Sequence, residues 1–382
     1  MLLMKRVEGW HGDKTAGLHR TAERAAGGGG VLKISDILKK TRRLEPAAVP
    51  STATPIPAPI TINSPVVPEP SAAQQPSAAP VAAPVAPEPS PSDRIAAAQL
   101  YQHAVTATRP LMTPYASEAH LQKAREFVDV VTQQLKARNE GLVEVFFDDY
   151  PADAHYLANH AVNVCILSLA LARELPYDAA QLKKLGLAAL LHDIGLAKFE
   201  DIIARPEQLK ERDIIEVRKH PLLGKDLAAK LAGELDFEVF DVIQQEHERV
   251  DGSGYPFGLK DNEISEFAKL VAVADVYEAL THARPYRSRY DGRAAVRLML
   301  EQKQSFSQRC LKALINTLGI FPVGTLVELN THETGIVLRQ TKSMPLRPVI
   351  LITHNAQQQK LAEEKRIDLA RNFSVYIKEC VK

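Results

Sequence analysis

Glu246-His247-Glu248-Arg249-Val250-Asp251-Gly252-Ser253-Gly254-Tyr255-Pro256 sets an imidazole between two carboxylates and follows them with a glycine-rich loop. It has a counterpart upstream in Leu191-His192-Asp193-Ile194-Gly195. A lone His-Asp pair is common by chance, and so is a lone His beside a Glu. The two together, in order, are not. Around them lie His160, His220 and Asp275, each inside or beside an apolar helical pattern. Such groups are costly to bury unless they are paired or bind a metal. Neutral imidazoles with ionised carboxylates are the ligand mix that holds one or two divalent cations, and helical folds assemble such sites from side chains on several helices. Any one of these histidines reads equally well as a hydrogen-bonded core or surface residue; the ordered set favours metal.

The rest of the chain bounds that reading. Its 382 residues have room for two ordinary domains, and an apolar content of 45% supports a real core. A formal net charge of +1 argues against a general nucleic-acid surface. Cys165, Cys310 and Cys380 are too few and too scattered for a disulfide framework or a cysteine-based zinc site. That usage suits a reducing cytosol. Apolar runs such as Val164 to Ala172 are far shorter than the ~20 residues a membrane span needs. The opening Met1-Leu2-Leu3-Met4-Lys5-Arg6 does not have the layout of a secretory signal. These features point to a cytoplasmic protein without a membrane span.

Along the chain, residues 1–44 form a polar tail. Leu32, Ile34, Ile37 and Leu38 allow a short amphipathic helix capped near Ser35, either a docking peptide for a protein partner or a frayed end. Residues 45–92 carry fourteen of the twenty-five prolines, among Ala, Val, Ser and Glu, and read as a disordered, semi-rigid tether that could also offer proline-rich sites. A helical lead-in follows over 93–119. Over 120–318 the apolar spacing predicts helices at 117–138, 142–147, 156–174, 179–192, 207–219, 222–231, 238–246, 265–279, 292–302 and 308–318. From 319 to 382, short Val- and Ile-rich runs at 327–329, 335–339, 349–353 and 375–378 predict a small antiparallel β appendage. The fold class is mainly α, with a disordered Pro/Ala-rich N-terminal region and a β-rich C-terminal extension.

The ordered motifs are His192-Asp193, His220-Pro221 with Gly224, Gln245 through Pro256, Ala274-Asp275-Val276-Tyr277-Glu278-Ala279-Leu280-Thr281, and Arg284-Pro285-Tyr286-Arg287. Together they resemble the HD-GYP domain, a branch of the HD phosphohydrolase superfamily, over roughly residues 120–310. The segment from Ile320 to Thr325 and the strands after it resemble a C-terminal extension of some members. The resemblance implies an HD-type helical bundle around a centre of divalent ions, iron or manganese. It also implies hydrolysis of the bacterial second messenger cyclic di-GMP to pGpG or GMP. On the matching positions it implies His160, His192, Asp193, His220, His247 and Asp275 as metal ligands. Asp193 would bridge two ions roughly 3.5–4 Å apart, with a hydroxide held between them as nucleophile. Arg284, Arg287 and Tyr255 would face substrate phosphate, a task suited to the guanidinium fork. A homodimer is compatible with the sequence.

Three departures from the family pattern stand out. Glu246 occupies the first of two usually adjacent histidines; a carboxylate still binds a hard divalent ion, so Glu246 is a candidate substitute ligand. Leu196 stands where a lysine often follows His-Asp-x-Gly, which leaves Lys198 as the nearby candidate for a catalytic cation. Tyr156 stands where three-metal members carry a glutamate, so two ions are expected. These departures keep two further readings open. One is a catalytically degenerate module that binds nucleotide or a protein partner. The other is a phosphohydrolase of another cyclic dinucleotide or nucleotide.

Overall fold

The computed structural model describes residues 91–381 apart from 114, 137–140, 149, 151–154, 206, 208, 232–234, 283–288 and 342–343. The tail expectation for residues 1–44 and the tether expectation up to residue 90 lie outside the described residues, as do Arg284 and Arg287, whereas Pro91 and Ser92, expected as the end of the tether, open the first helix, where proline is tolerated in the first turn. The described chain is helical up to Leu318 and then turns to strands.

The helices are α1 (Pro91–Thr108), α2 (Glu118–Lys136), α3 (Gly141–Val145), α4 (Tyr156–Ala172), α5 (Ala179–Leu191), α6 (Glu200–Ile203), α7 (Glu211–Val217), α8 (His220–Leu231), α9 (Phe237–Gln245), α10 (Glu266–Thr281), α11 (Gly292–Glu301) and α12 (Gln308–Leu318). α4 is the axis of the bundle. Every residue from Leu157 to Ala172 is buried, as expected for a helix apolar on all sides. It packs against α5 and α10, and α9 lies on α5. Asp178 starts α5 with a capping box: its carboxylate accepts from Gln181 N, and the Gln181 side chain accepts from Asp178 N.

Most predicted helices appear within a few residues of their expected bounds, with one clear shortening. The apolar pattern suggested 207–219, whereas α7 begins at Glu211, where the Asp213 carboxylate accepts from Lys210 N at 3.2 Å and fixes the first turn. α8 begins at His220, two residues before the expected start.

The C-terminal strands are β1 (Leu326–Leu329), β2 (Thr334–Arg339), β3 (Val349–His354), β4 (Lys360–Asp368) and β5 (Ile377–Cys380). They form one antiparallel sheet in the order β4-β3-β2-β1-β5. Phe321, Val327, Leu329, Val337, Ile350, Ile352, Leu369 and Val375 form its core. The last strand is shifted from the expected 375–378, because Val375 is used as a core residue in the turn before it. β4 had no counterpart among the predicted strands. Its Glu363, Glu364, Lys365 and Arg366 are exposed, a composition that suits an edge strand.

One close approach positions the site. After α5 the chain makes a 3₁₀ turn over Ile194–Phe199 that lies on the start of α8. A Cβ added at Gly195 would sit 2.0 Å from the carbonyl oxygen of His220 and 2.8 Å from Gly224 N. No side chain fits there, so Asp193 and His220 are held together by backbone contact. Gly195→Ala is expected to destabilise the protein by about 1–3 kcal/mol through overpacking, read from denaturant unfolding. An unchanged midpoint would mean that the contact is dispensable.

Candidate metal centre

Two sets of side chains converge. His160, His192 and Asp275 form one group; Asp193, His220, Glu246 and His247 form the other, and within each group the ligand atoms lie within 4.8 Å of one another. Asp193 joins the groups through its two oxygens. Its Oδ2 is 3.4 Å from His160 Nε2 and 3.4 Å from His192 Nε2. Its Oδ1 is 3.2 Å from His220 Nε2. On the first side Asp275 Oδ1 is 3.3 Å from His160 Nε2; on the second, Glu246 Oε1 is 3.3 Å from His220 Nε2. All seven metal-ligand positions expected from the sequence therefore meet, Glu246 included.

The local folding explains the aim of each imidazole. His192 caps the end of α5, and its Nδ1 is 2.7 Å from the Ala189 carbonyl. His220 opens α8, with Nδ1 2.7 Å from the Val217 carbonyl. His160 Nδ1 is 2.5 Å from the Glu278 carboxylate. A carbonyl can only accept, so Nδ1 of His192 and of His220 is the N–H, and Nε2 of each presents its lone pair to the cluster in the neutral ring. His247 Nε2 lies 3.1 Å from His220 Nε2. Two facing imidazole nitrogens repel as lone pairs and are reconciled by a proton or a cation between them.

Burial sharpens the case. Glu246 is fully buried, as is His192, and Asp193 and Asp275 are nearly so. His192 Nε2, Asp193 Oδ1 and Glu246 Oε2 are buried and make no hydrogen bond of good geometry, although other ligand atoms lie close, His247 Nδ1 at 2.8 Å from Glu246 Oε2 among them. Buried polar atoms without a well-formed hydrogen bond are unusual in a native interior. Imidazole and carboxylate atoms crowded in this way fit a divalent cation. Burial alone would push the His220 imidazole down, but the Asp193 and Glu246 carboxylates override it and push it up to about 10. Burial is likewise overridden at His160, chiefly by the charge of Glu278, and at His192 by Asp193; both are raised. Asp193 is held well below the carboxylate range by His192, His160 and His220 despite its burial. At His247 burial outweighs the Glu246 carboxylate, and this imidazole is lowered.

The remaining expected residues fare differently. Tyr255 is at the site, its ring stacked on His247 at 4.6 Å. Lys198 is exposed at the end of the 3₁₀ turn and forms no hydrogen bond or ion pair with the cluster. Leu196 and Tyr156 pack against one apolar group of Met112, Leu157 and Ala161, and the Tyr156 ring is parallel to that of His160 at 5.8 Å.

Two carboxylates escaped the sequence reading. Glu278, fully buried, accepts from Tyr150 Oη as well as facing His160 Nδ1. Its signal was its spacing, one helical turn after Asp275 on α10. Glu248 clamps the glycine-rich loop: Oε1 accepts from Phe257 N at 2.7 Å and Gly258 N at 3.1 Å, and Oε2 from Leu259 N at 2.9 Å. The loop crosses so close to this residue that a Cβ on Gly254 would lie 2.4 Å from Glu248 Cα. Asp251 ties the same loop to Ser253 N and Ser305 Oγ.

Uptake of a divalent cation requires neutral imidazoles, so it is expected to release protons, and affinity should fall as pH falls and protons compete better. Calorimetric titration of metal-free protein in buffers of different ionisation enthalpy reads this directly; identical heats in all buffers would contradict it. Glu278→Gln is expected to weaken metal affinity about 10–100-fold, the usual effect of removing a carboxylate that orients a histidine ligand. Competition with a chromogenic chelator measures it.

Comparison with known proteins agrees with this geometry. The HD domain family matches residues 133–308, and a KOW domain associated with HD domain matches residues 326–382. Cyclic di-GMP phosphodiesterase PA4108 of Pseudomonas aeruginosa is 37% identical over 217 residues, which is 56% of this chain and 52% of that protein. The 3'3'-cGAMP-specific phosphodiesterase 1 of Vibrio cholerae is 36% identical over 137 residues, 36% of this chain and 31% of that protein. The chain thus spans about half, or less, of the length of these curated relatives. Among solved structures, Bd1817, a HDG"Y"P protein from Bdellovibrio bacteriovorus, superposes with a TM-score of 0.50 at 20% identity, covering 58% of this chain and 71% of that one, a likeness of fold. With its His-Asp pair and Gly-Tyr-Pro loop inside it, the segment 133–308 is an HD domain that resembles the HD-GYP branch of that family.

Proposed function

We propose that this protein is a metal-dependent phosphodiesterase that opens cyclic di-GMP to pGpG or GMP. The observation that carries the reading is Asp193, whose two oxygens face two separate groups of buried ligand atoms. That arrangement suits a pair of divalent cations, with His160, His192 and Asp275 on one side and His220, Glu246 and His247 on the other. Imidazoles mixed with three carboxylates favour iron or manganese. When bound, such a pair makes water nucleophilic near neutral pH and polarises a phosphoryl oxygen.

The chain's own residues supply the rest. Asp193 sets the spacing between the two groups. Glu278 and the Ala189 and Val217 carbonyls fix the orientation of the imidazoles, so little reorganisation is needed when substrate arrives. Tyr255 forms part of the wall beside His247. Arg284 and Arg287 are the candidates for neutralising phosphate oxygens. Lys198 would have to move to share that task, so it is the weaker candidate for a catalytic cation. Residues 1–92 would act as a tail and tether that links this unit to a partner.

The relative specific for 3'3'-cGAMP supports one second reading, in which the same chemistry acts on another cyclic dinucleotide. Retention of all seven candidate ligand positions in two adjoining groups that meet at Asp193 speaks against a degenerate module. Purified protein loaded with manganese or reduced iron should hold two ions per chain and open cyclic di-GMP. His192→Ala and Asp193→Ala should abolish turnover, and Glu246→Ala should lower it at least ~100-fold. Full metal occupancy with no turnover of either cyclic dinucleotide would end the proposal, and the ratio of kcat/KM between the two decides the substrate.

A further inference from the structure

We propose that Arg218 is a substrate-binding residue, its guanidinium taking the phosphate of a cyclic dinucleotide that is not being cleaved; this rests on the phosphodiesterase reading above. Arg218 lies in the two-residue link between α7 and α8. The link is pinned at both ends. Arg218 N donates to the Ile214 carbonyl and Lys219 N to that of Glu216, both at 3.0 Å, while the Val217 carbonyl receives His220 Nδ1. The backbone that carries Arg218 cannot drift without turning a ligand imidazole.

The side chain leads to the site. Its guanidinium carbon lies 5.0 Å from the centre of the Tyr255 ring, and that ring stacks on His247. An aromatic face attracts a guanidinium and holds it flat, leaving the N–H edge free to meet an anion. Arg218 is exposed and has no carboxylate partner among the described residues. Three basic residues of the same region are engaged: Lys219 pairs with Glu216 at 2.7 Å, and Arg205 and Arg212 both face Asp213. A cation with no counter-ion among the described residues, one ring away from a cluster that contains three carboxylates, is placed to offset their repulsion of an anionic substrate. A cyclic dinucleotide carries two phosphates, and only one can be at the metal ligands during cleavage.

The test compares two substrates that share the cleavage chemistry. Cyclic di-GMP has a second phosphate; bis(p-nitrophenyl) phosphate has none. Arg218→Ala is expected to raise KM for cyclic di-GMP about 10–100-fold with kcat nearly unchanged, as for lost ground-state binding by a charged group. Activity on bis(p-nitrophenyl) phosphate and metal content should match wild type. Arg218→Lys should recover part of the loss, because it keeps the charge without the fork. Equilibrium dialysis of cyclic di-GMP against each variant should show the same order. Wild-type behaviour of Arg218→Ala on cyclic di-GMP would reduce the contact to surface stacking and overturn the role. An equal fall on both substrates, or a loss of metal, would make Arg218 structural. A wild-type protein that cleaves bis(p-nitrophenyl) phosphate yet neither binds nor cleaves a cyclic dinucleotide would remove the phosphodiesterase reading itself and this role with it.

Discussion

The arrangement depends on one backbone contact, the seating of the turn after His192-Asp193 on the first residues of α8. Because Gly195 offers hydrogen where any other residue would drive a carbon into the His220 carbonyl, two helices meet at main-chain distance. That brings Asp193 Oδ1 to His220 while Oδ2 remains with His160 and His192. Move the turn outward by the width of a methyl group and the carboxylate no longer reaches both sets. Packed interiors give little under such strain, so the 3.2 Å and 3.4 Å approaches of Asp193 to its neighbours are fixed by main chain rather than by flexible side-chain stems.

Much of this was legible in the sequence. The seven candidate ligand positions were singled out as polar groups in or beside apolar helical patterns, where their cost must be offset, and by their match to the HD-GYP motifs; the structure brings all seven side chains together. The apolar runs of α4 and α5 gave the bundle, and the Val- and Ile-rich runs gave four of the five strands. Misses arose where the signal was physical but not apolar. β4 presents charges to solvent at a sheet edge, so alternation never develops. Glu278 and Glu248 look like surface residues of helix and loop until their acceptor atoms are seen to face His160 and three backbone N–H groups. Arg218 was overlooked because nothing in a linear string places a residue two before His220 over a ring at position 255.

The two substitutions that stood out beside the ligands also look different in three dimensions. Leu196 and Tyr156 are forty residues apart, yet both rest on the Met112, Leu157 and Ala161 group. The two departures therefore line one apolar wall, on the side of His160. Glu246 is a separate event on the opposite side of Asp193, where an added carboxylate meets two imidazoles.

The Glu248 clamp has a consequence for the energetics of recognition. Three main-chain donors converge on one carboxylate within the protein itself, so the loop beside His247 takes its shape during folding. A ligand then meets a surface whose conformational entropy has already been surrendered, and its contacts are not diluted by having to freeze a wandering segment. Rigid rims of this kind select by fit rather than by adaptation, so a ligand of this site would be sorted by static shape and charge.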